Sequence, residues 1–136
     1  MTDQFVAEIR IFTANFAPVG WAQTNGQVLG ISQNTALFSL VGTYYGGNGT
    51  SNFALPNLQS CMPMNMGNGP GLSSRVMGEE GGAETFSFGA AVPIPSAPAT
   101  PTMNASVGFR QQFQTVSPFL VLNFIIALQG IFPPRS

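Results

Sequence analysis

The chain opens with alternating apolar and polar positions. In residues 5–12 (FVAEIRIF), Glu8 and Arg10 fall on one side of an extended chain, and Ile9 and Ile11 fall on the other. Side chains of a β-strand point alternately to its two faces, so this pattern predicts a half-buried strand with one apolar and one polar face.

A hairpin is predicted next. Asn25-Gly26 separates Trp21-Ala22 from Val28-Leu29. Asn-Gly between two short apolar stretches is typical of a type I′ turn, in which both central residues have positive φ. The sequence therefore predicts that the two stretches pair as neighbouring strands.

One short helix follows. The segment Asn34–Val41 (NTALFSLV) carries its apolar residues at helical spacing, with Ser32 as the candidate N-cap and Gly42 as the stop signal. The predicted apolar face consists of Leu37, Phe38, Leu40 and Val41.

The rest of the chain reads as extended segments and turns. Pro56 biases Leu55 away from helix, and residues 84–88 and 107–116 have strand patterns. The apolar run after Pro118 fits a strand or a buried helix, and its β-branched residues favour a strand. Further predicted features are methionines on one face of a strand (Met62, Met64, Met66) and glycine-rich turns (67–71, 78–82). The expected fold is therefore mainly β with one short helix, completed by strand pairing between chains of an oligomer.

Three regions are expected along the chain. Residues 1–72 form the first domain. Residues 73–117 are a Gly/Pro-rich strand region, with an extended, proline-punctuated segment at 92–101 (VPIPSAPATP). Residues 118–136 are an apolar segment that packs into the core or onto a neighbouring chain.

Composition points to assembly. Charged residues make up 7% of the 136 residues, against roughly 25% in a typical soluble domain. Hydrophobic residues make up 44%, including 12 phenylalanines, more than a small monomer buries easily. The longest apolar run is shorter than the ~20 residues of a membrane-spanning helix. The start, MTDQFVAEIR, has no classical signal-peptide pattern, and a net charge of −1 argues against nucleic-acid binding.

The residue types present exclude most catalytic chemistry. Without histidine, Ser-His-Asp and Cys-His catalysis are impossible as usually built. Without lysine there is no Schiff-base chemistry. Glu79 and Glu80 are expected in a solvated turn rather than as a catalytic pair or, with Glu84, a calcium contact. Cys61 is expected to be a small buried hydrophobe. We expect no catalytic residue, cofactor or metal.

The aromatic loop that follows the helix allows two interpretations. Tyr44 and Tyr45 are flanked by glycines and Asn48, with Trp21 as a further exposed-aromatic candidate. Such rings suit stacking on a sugar or contact with a protein. They equally suit a loop that folds back onto its own core.

Several stretches together resemble one family. Residues 20–58 (GWAQTNGQVLGISQNTALFSLVGTYYGGNGTSNFALPNL) are similar to the phage tail collar domain: a Trp before a Gly-Gln pair, an Ala-Leu-Phe helix, a Tyr-Gly-Gly loop and a Phe-x-Leu-Pro strand. Residues 8–21, 69–86 and 118–133 resemble its microcystin-dependent protein subfamily. The resemblance implies a homotrimeric fibre part of a phage tail or a related bacterial particle, and some family members contact host surfaces.

The chain departs from the family where the family carries charge. The family's Leu-Pro-Asp-Leu-Arg-Gly-Arg corresponds to LPNLQSC at residues 55–61. A His-Thr-His element of the subfamily corresponds to residues 92–100, which contain no histidine, so the axial metal of short-fibre relatives does not carry over. These departures favour burial of the affected surfaces in an assembly over a catalytic or metal-binding role.

Three functions remain open. The first is a non-enzymatic structural subunit of a phage-tail-like fibre or bacterial filament, located in a virion tail or an extracellular particle. Residues 95–101 (PSAPATP) would then be an arm on a neighbour. The second is a receptor- or glycan-binding module at a fibre tip, through Tyr44, Tyr45, Asn48 and residues 103–115. The weakest is an enzyme. The candidate inter-subunit contacts are Phe119, Leu120, Leu122, Phe124, Ile126, Leu128, Ile131 and Phe132.

Overall fold

The computed structural model describes residues 3–88 and 111–135; of Phe88, Gln111 and Gln112 it describes the backbone only. The protein is mainly β with one short helix, as the sequence predicts. It folds into two compact units, Met1–Glu79 with Val121–Ser136, and Glu80–Leu120. In chain order the elements are β1 (Ile9–Phe12), β2 (Trp21–Gln23), β3 (Val28–Gly30), α1 (Thr35–Val41), β4 (Asn52–Ala54), β5 (Gly67–Asn68), β6 (Ser74–Arg75), β7 (Thr85–Phe88), β8 (Gln111–Gln114) and β9 (Asn123–Ala127).

The main sheet of the first unit has the strand order β1-β9-β2, with both pairs antiparallel. Ile126 of β9 pairs with Ile9 on one side and with Ala22 on the other. The apolar run near the C-terminus is therefore a strand and not a helix, and it fills the central position of the sheet.

A tight turn leads into β1. The Glu8 amide donates to the Phe5 carbonyl, and Ala7 at the third position of this turn has a φ of +68°. The Ala7 amide donates to the Ala127 carbonyl, while the Ala127 amide donates to the Glu8 carbonyl. Two residues thus face one across the ladder, which is a β-bulge. The strand predicted over residues 5–12 accordingly begins only at Ile9.

The two faces of β1 differ from those of an ordinary half-buried strand. On the polar face, the Arg10 guanidinium lies 5.3 Å from the centre of the Trp21 ring, above the buried Ile125 and Ala127. On the apolar face, Ile9 and Ile11 are exposed, Ile11 to 60%. Arg10 therefore covers buried residues on its face, whereas Ile9 and Ile11 lie on the same face as the buried Ile126 but at its exposed edge.

The hairpin predicted at Asn25-Gly26 is wrong. Strand β2 pairs with β9, whereas β3 pairs with β4. Gly26 has a φ of +76°, but Asn25 has no positive φ, so the turn is not type I′. The reason lies at Thr24, which is buried and donates both its amide (3.1 Å) and its hydroxyl (3.0 Å) to the Phe124 carbonyl. These bonds hold the chain on β9 up to Thr24, after which it crosses to the second sheet.

The helix α1 is close to its prediction. It begins at Thr35 with Asn34 as the N-cap, so the predicted cap at Ser32 is wrong. The Asn34 side chain donates to the Gly30 carbonyl at 3.0 Å instead of capping the helix. Gly42 ends the helix with a φ of +55°. The core that α1 covers consists of Val6, Ala22, Leu37, Val41, Phe53, Leu55 and Ile126, with Phe38 and Leu40 partly buried against it.

Two predictions for residues 61–66 are wrong. This segment forms no strand; the next element is the β5–β6 hairpin. Cys61 is an exposed free thiol and not a buried hydrophobe. The predicted methionine stripe is also exposed, at 86% for Met62, 74% for Met64 and 55% for Met66. An irregular segment without a partner strand leaves these side chains exposed among the described residues.

In the described part of the second unit, β7 pairs antiparallel with β8, and Thr85 faces Gln114. The Thr115 hydroxyl donates to the carbonyls of Ala83 (2.6 Å) and Glu84 (3.1 Å) at the end of this pair. The strands predicted within 84–88 and 107–116 are thus confirmed for β7 and β8. The extended segment at 92–101 lies outside the described residues. In the part of the chain that is described, no helix is long and apolar enough to cross a membrane.

Candidate functional site

The loop between α1 and β4 is organised by one side chain. The Asn48 carboxamide oxygen accepts hydrogen bonds from the amides of Thr50 (2.9 Å), Ser51 (2.9 Å) and Asn52 (3.1 Å). Its amide group donates to the Ser51 hydroxyl at 3.0 Å, and the Asn48 backbone amide donates to the Asn52 side chain at 2.9 Å. The polar atoms of Asn48 are thus engaged within its own loop, which suits a structural role.

Glycine lets this loop approach β4 closely. Gly47 has a φ of +93°, and a Cβ at this position would overlap the backbone of Phe53. The Gly46 carbonyl accepts a hydrogen bond from the Ala54 amide at 3.0 Å. Gly46 and Gly47 therefore allow the loop to pack directly against β4, the strand that carries Phe53.

The two tyrosines have different environments. Tyr45 packs against the core, its hydroxyl contacts the Met77 sulfur at 3.3 Å, and burial raises the pKa of its phenol. Tyr44 is 61% exposed, and Gly78 lies so close to the Tyr44 carbonyl that a Cβ there would overlap it. Of the three candidate ligand residues, Tyr44 alone presents a free side chain to solvent. The further candidate region is residues 103–115, of which residues 103–110 lie outside the described residues.

Of the acidic candidates, Glu79 stabilises a turn through its hydrogen bonds. Glu79 accepts from the Arg75 guanidinium at 2.6 Å and from the Val76 amide at 3.1 Å, and first the amide bond, then the Arg75 bond, lower the pKa of its carboxyl. Glu80 is exposed beside it. Among the described residues, no group of three or more Cys, Asp or Glu side chains is placed to hold a metal ion.

Exposed large hydrophobic side chains outnumber buried hydrophobic ones in the described part of the chain. Of the candidate inter-subunit residues, Phe119, Leu120, Leu122, Ile131 and Phe132 are exposed, and Phe124 is half-buried. Leu120 is 83% exposed. In contrast, Ile126 is buried in the core of its own chain and Leu128 packs against that core. Ile126 therefore has almost no surface to offer to a neighbouring chain in this fold, whereas Leu128 keeps part of its surface exposed.

The outer edge of β1 adds a feature that the candidate residues did not include. Hydrogen-bonded and non-hydrogen-bonded pairs alternate along an antiparallel ladder. The bonds between Ala127 and residues 7–8 place Arg10 opposite Ile125 as a bonded pair. The amides and carbonyls of Ile9 and Ile11 then point away from β9. Among the described residues, these backbone groups of β1 have no strand partner, and they lie next to two exposed isoleucines.

The sequence gives no signal for this edge. The alternation in residues 5–12 reveals two faces of different polarity, but what covers each face depends on Trp21, Ile125 and Ile126, which come from distant parts of the chain.

A cleft opens between three loops and the start of β9. It has a volume of about 370 Å³ and is lined by residues 13–15, 23–25, 58–60 and 121–124. The lining carries amides and hydroxyls and no charged side chain. Gln23 and Asn123 use their amide groups to hold the carbonyls of Asn15 and Ala14 (both 3.1 Å). The side chains of Asn15 and Gln59 are free of hydrogen-bond partners in the described structure.

Residues 7–63 match the family model of the Phage Tail Collar Domain. This collar region contains β1 to β4, α1 and the loop that Asn48 organises. No curated protein matches the chain. The resemblance to the microcystin-dependent subfamily stays a prediction.

Proposed function

We propose that the protein is a non-enzymatic structural subunit of a phage-tail-like fibre or a self-assembling bacterial filament, and that it acts by homo-oligomerisation. The match of the collar region to the Phage Tail Collar Domain supports a structural role in a phage tail fibre. The proposed location is a virion tail or a related extracellular particle. The proposed partners are further copies of the chain and other tail proteins, and nucleic acid is not among them.

The observation that carries this proposal is the exposed apolar surface. Monomeric soluble proteins rarely expose large contiguous apolar surfaces, because association or aggregation removes them. Here exposed Phe, Leu, Ile and Met side chains are combined with a charged fraction of only 7%. Little charge repulsion opposes contact between copies.

We assign the contact to two features. The first is a set of exposed apolar side chains, Phe119 and Leu120 in the second unit and Leu122, Ile131 and Phe132 in the first unit. The second is the outer edge of β1, where Ile9 and Ile11 offer backbone groups to an added strand. Adding a strand to an exposed edge is a common mode of protein association. A repeated contact that does not close into a ring yields a filament.

The test is the mass of the purified full-length chain in solution, measured by light scattering, together with electron microscopy. The native chain should form oligomers or filaments at micromolar concentration. Leu120→Asp places a charge in the proposed contact and should shift the mass towards the monomer. Ala36→Asp is the matched control, since it adds the same charge to the exposed first turn of α1, where an acidic residue is favourable. A native chain that remains monomeric would contradict the proposal.

The cleft favours a second candidate function, the binding of a neutral glycan. Amides and hydroxyls without charge match the hydrogen-bonding groups of sugars, and Tyr44 offers a separate exposed ring for stacking. Binding to a glycan array that Gln59→Ala weakens would support the cleft, and binding lost only with Tyr44→Ala would support the aromatic loop. If no saturable binding were observed, the structural role would be the one proposed function that remains.

A further inference from the structure

Four sulfur-containing side chains lie together in residues 61–66 (CMPMNM). Cys61 is an exposed free thiol, and Met62, Met64 and Met66 are all exposed. Within the described part of the chain, none of these four sulfur atoms takes part in a hydrogen bond. Met77 differs, because its sulfur receives the Tyr45 hydroxyl at 3.3 Å. The sulfur atoms of the segment are therefore available to a ligand from solution.

The spacing of the methionines allows their side chains to converge. Met62, Met64 and Met66 lie two residues apart in a segment without regular structure, so local backbone rotations can bring their side chains to one side. The methionine side chain has three rotatable bonds and a polarisable thioether, which lets each sulfur adjust its position. Cys61 directly precedes the first methionine. The segment has no helix or strand of its own that would resist this rearrangement.

The chemistry of this ligand set selects one class of ion. Thiolate and thioether are soft ligands, and among biological metals they favour Cu(I). The segment contains neither carboxylate nor imidazole, which harder divalent ions prefer. The expectation that the chain holds no metal rests on its lack of histidine, and a sulfur-only site is independent of histidine.

We propose that residues 61–66 form a binding site for Cu(I), with the Cys61 thiolate and the thioethers of Met62, Met64 and Met66 as ligands. On binding, the Cys61 thiol releases its proton to solvent, so that the thiolate neutralises the single charge of the ion. No change in the oxidation state of copper or sulfur takes place. The site is independent of the proposed structural function.

The alternative for the same residues is packing against another copy of the chain. Leucine separates the two roles, because it keeps the apolar character and approximate volume of methionine but has no sulfur. A variant that combines Met62→Leu, Met64→Leu and Met66→Leu should retain any packing contact and lose the metal ligands.

The experiment is a competition for Cu(I) between the reduced full-length protein and a coloured Cu(I) chelator, without oxygen. The native protein should withdraw about one Cu(I) per chain from the chelator. The triple leucine variant and Cys61→Ser should each bind Cu(I) at least about tenfold more weakly. Met77→Leu is the control and should bind like the native protein. Failure of the native protein to withdraw Cu(I), or equal binding by the triple leucine variant, would overturn the proposal. The mass of the leucine variant in solution reports separately on assembly.

Discussion

Asn48 and Asn52 are joined by reciprocal hydrogen bonds: the Asn48 amide donates to the Asn52 side chain at 2.9 Å, and the Asn52 amide donates to the Asn48 side chain at 3.1 Å. The pair closes the loop that seats Gly47 against Phe53. A residue that the sequence offers as a ligand contact thus serves the fold. This relationship makes the stability of the loop measurable through one side chain.

Asn48→Ala should lower the free energy of unfolding by about 1–3 kcal/mol, because three backbone amides lose their acceptor. Asn48→Asp keeps an acceptor oxygen at the same place and should cost less. Denaturant unfolding of both variants measures the difference. If Asn48→Ala were as stable as the native protein, the loop would not depend on this side chain.

Gly47→Ala should destabilise the protein more than an ordinary glycine substitution. The residue has positive φ, and the added Cβ would overlap the Phe53 backbone. Gly20→Ala is the matched control, since Gly20 also has positive φ (+83°) but nothing lies within 4 Å of its Cβ position. Gly20→Ala should cost only the backbone strain, of about 1–2 kcal/mol. Equal thermal midpoints for the two variants would contradict the close approach of the loop to β4.

Substitutions at Ile11 and Ile126 should separate effects on assembly from effects on folding. Ile11 is exposed at the edge of β1, so Ile11→Lys should reduce the mass of the oligomer while the circular dichroism of the fold is retained. Ile126 is buried, so Ile126→Ala should lower the free energy of unfolding by about 2–5 kcal/mol. An oligomer unchanged by Ile11→Lys would exclude the β1 edge from the contact.

Stability should fall in acid through two carboxylates. The Arg10 bond and then the Phe5 amide lower the pKa of Glu8, as Val76 and Arg75 lower that of Glu79. A lowered pKa in the folded state stabilises the fold above the ordinary value of 4.5, and this contribution is lost as the pH falls through the folded-state pKa. Urea midpoints measured from pH 7 to pH 3 should therefore drop below pH 4.5.

The urea midpoint of the double variant Glu8→Gln with Glu79→Gln should fall less between pH 7 and pH 3. Glu80→Gln is the control for loss of one negative charge, since Glu80 makes no hydrogen bond or ion pair in the described structure. A double variant with the same acid dependence as the native protein would assign the loss of stability to other groups.

Local signals sufficed for some elements. The spacing of Leu37 and Val41 predicts α1, because both residues fall on one face of a single short helix. Pro56 marks the extended chain at β4, since the constraint acts on the residue directly before it. In each case the information lies within a few residues of the element.

Elements that depend on distant partners could not be predicted in the same way. The Asn25-Gly26 signal indicates a turn, but the bond from Thr24 to Phe124, across 100 residues, decides which strand is paired. The exposure of Ile9 and Ile11 likewise depends on how far residues from distant parts of the chain cover their face of the sheet. For the candidate site, the sequence identified Tyr44 and Asn48 as notable but could not reveal that the Asn48 polar atoms are occupied within the loop.

The central position of β9 has a consequence for synthesis of the protein. Strands β1 and β2 emerge from the ribosome early, yet β9, which joins them, is made about 100 residues after β2. Closing so long a loop is slow, and it must wait until residues 123–127 have been synthesised. Until β9 is made, the segments of β1 and β2 in the nascent chain lack the strand that joins them in the sheet.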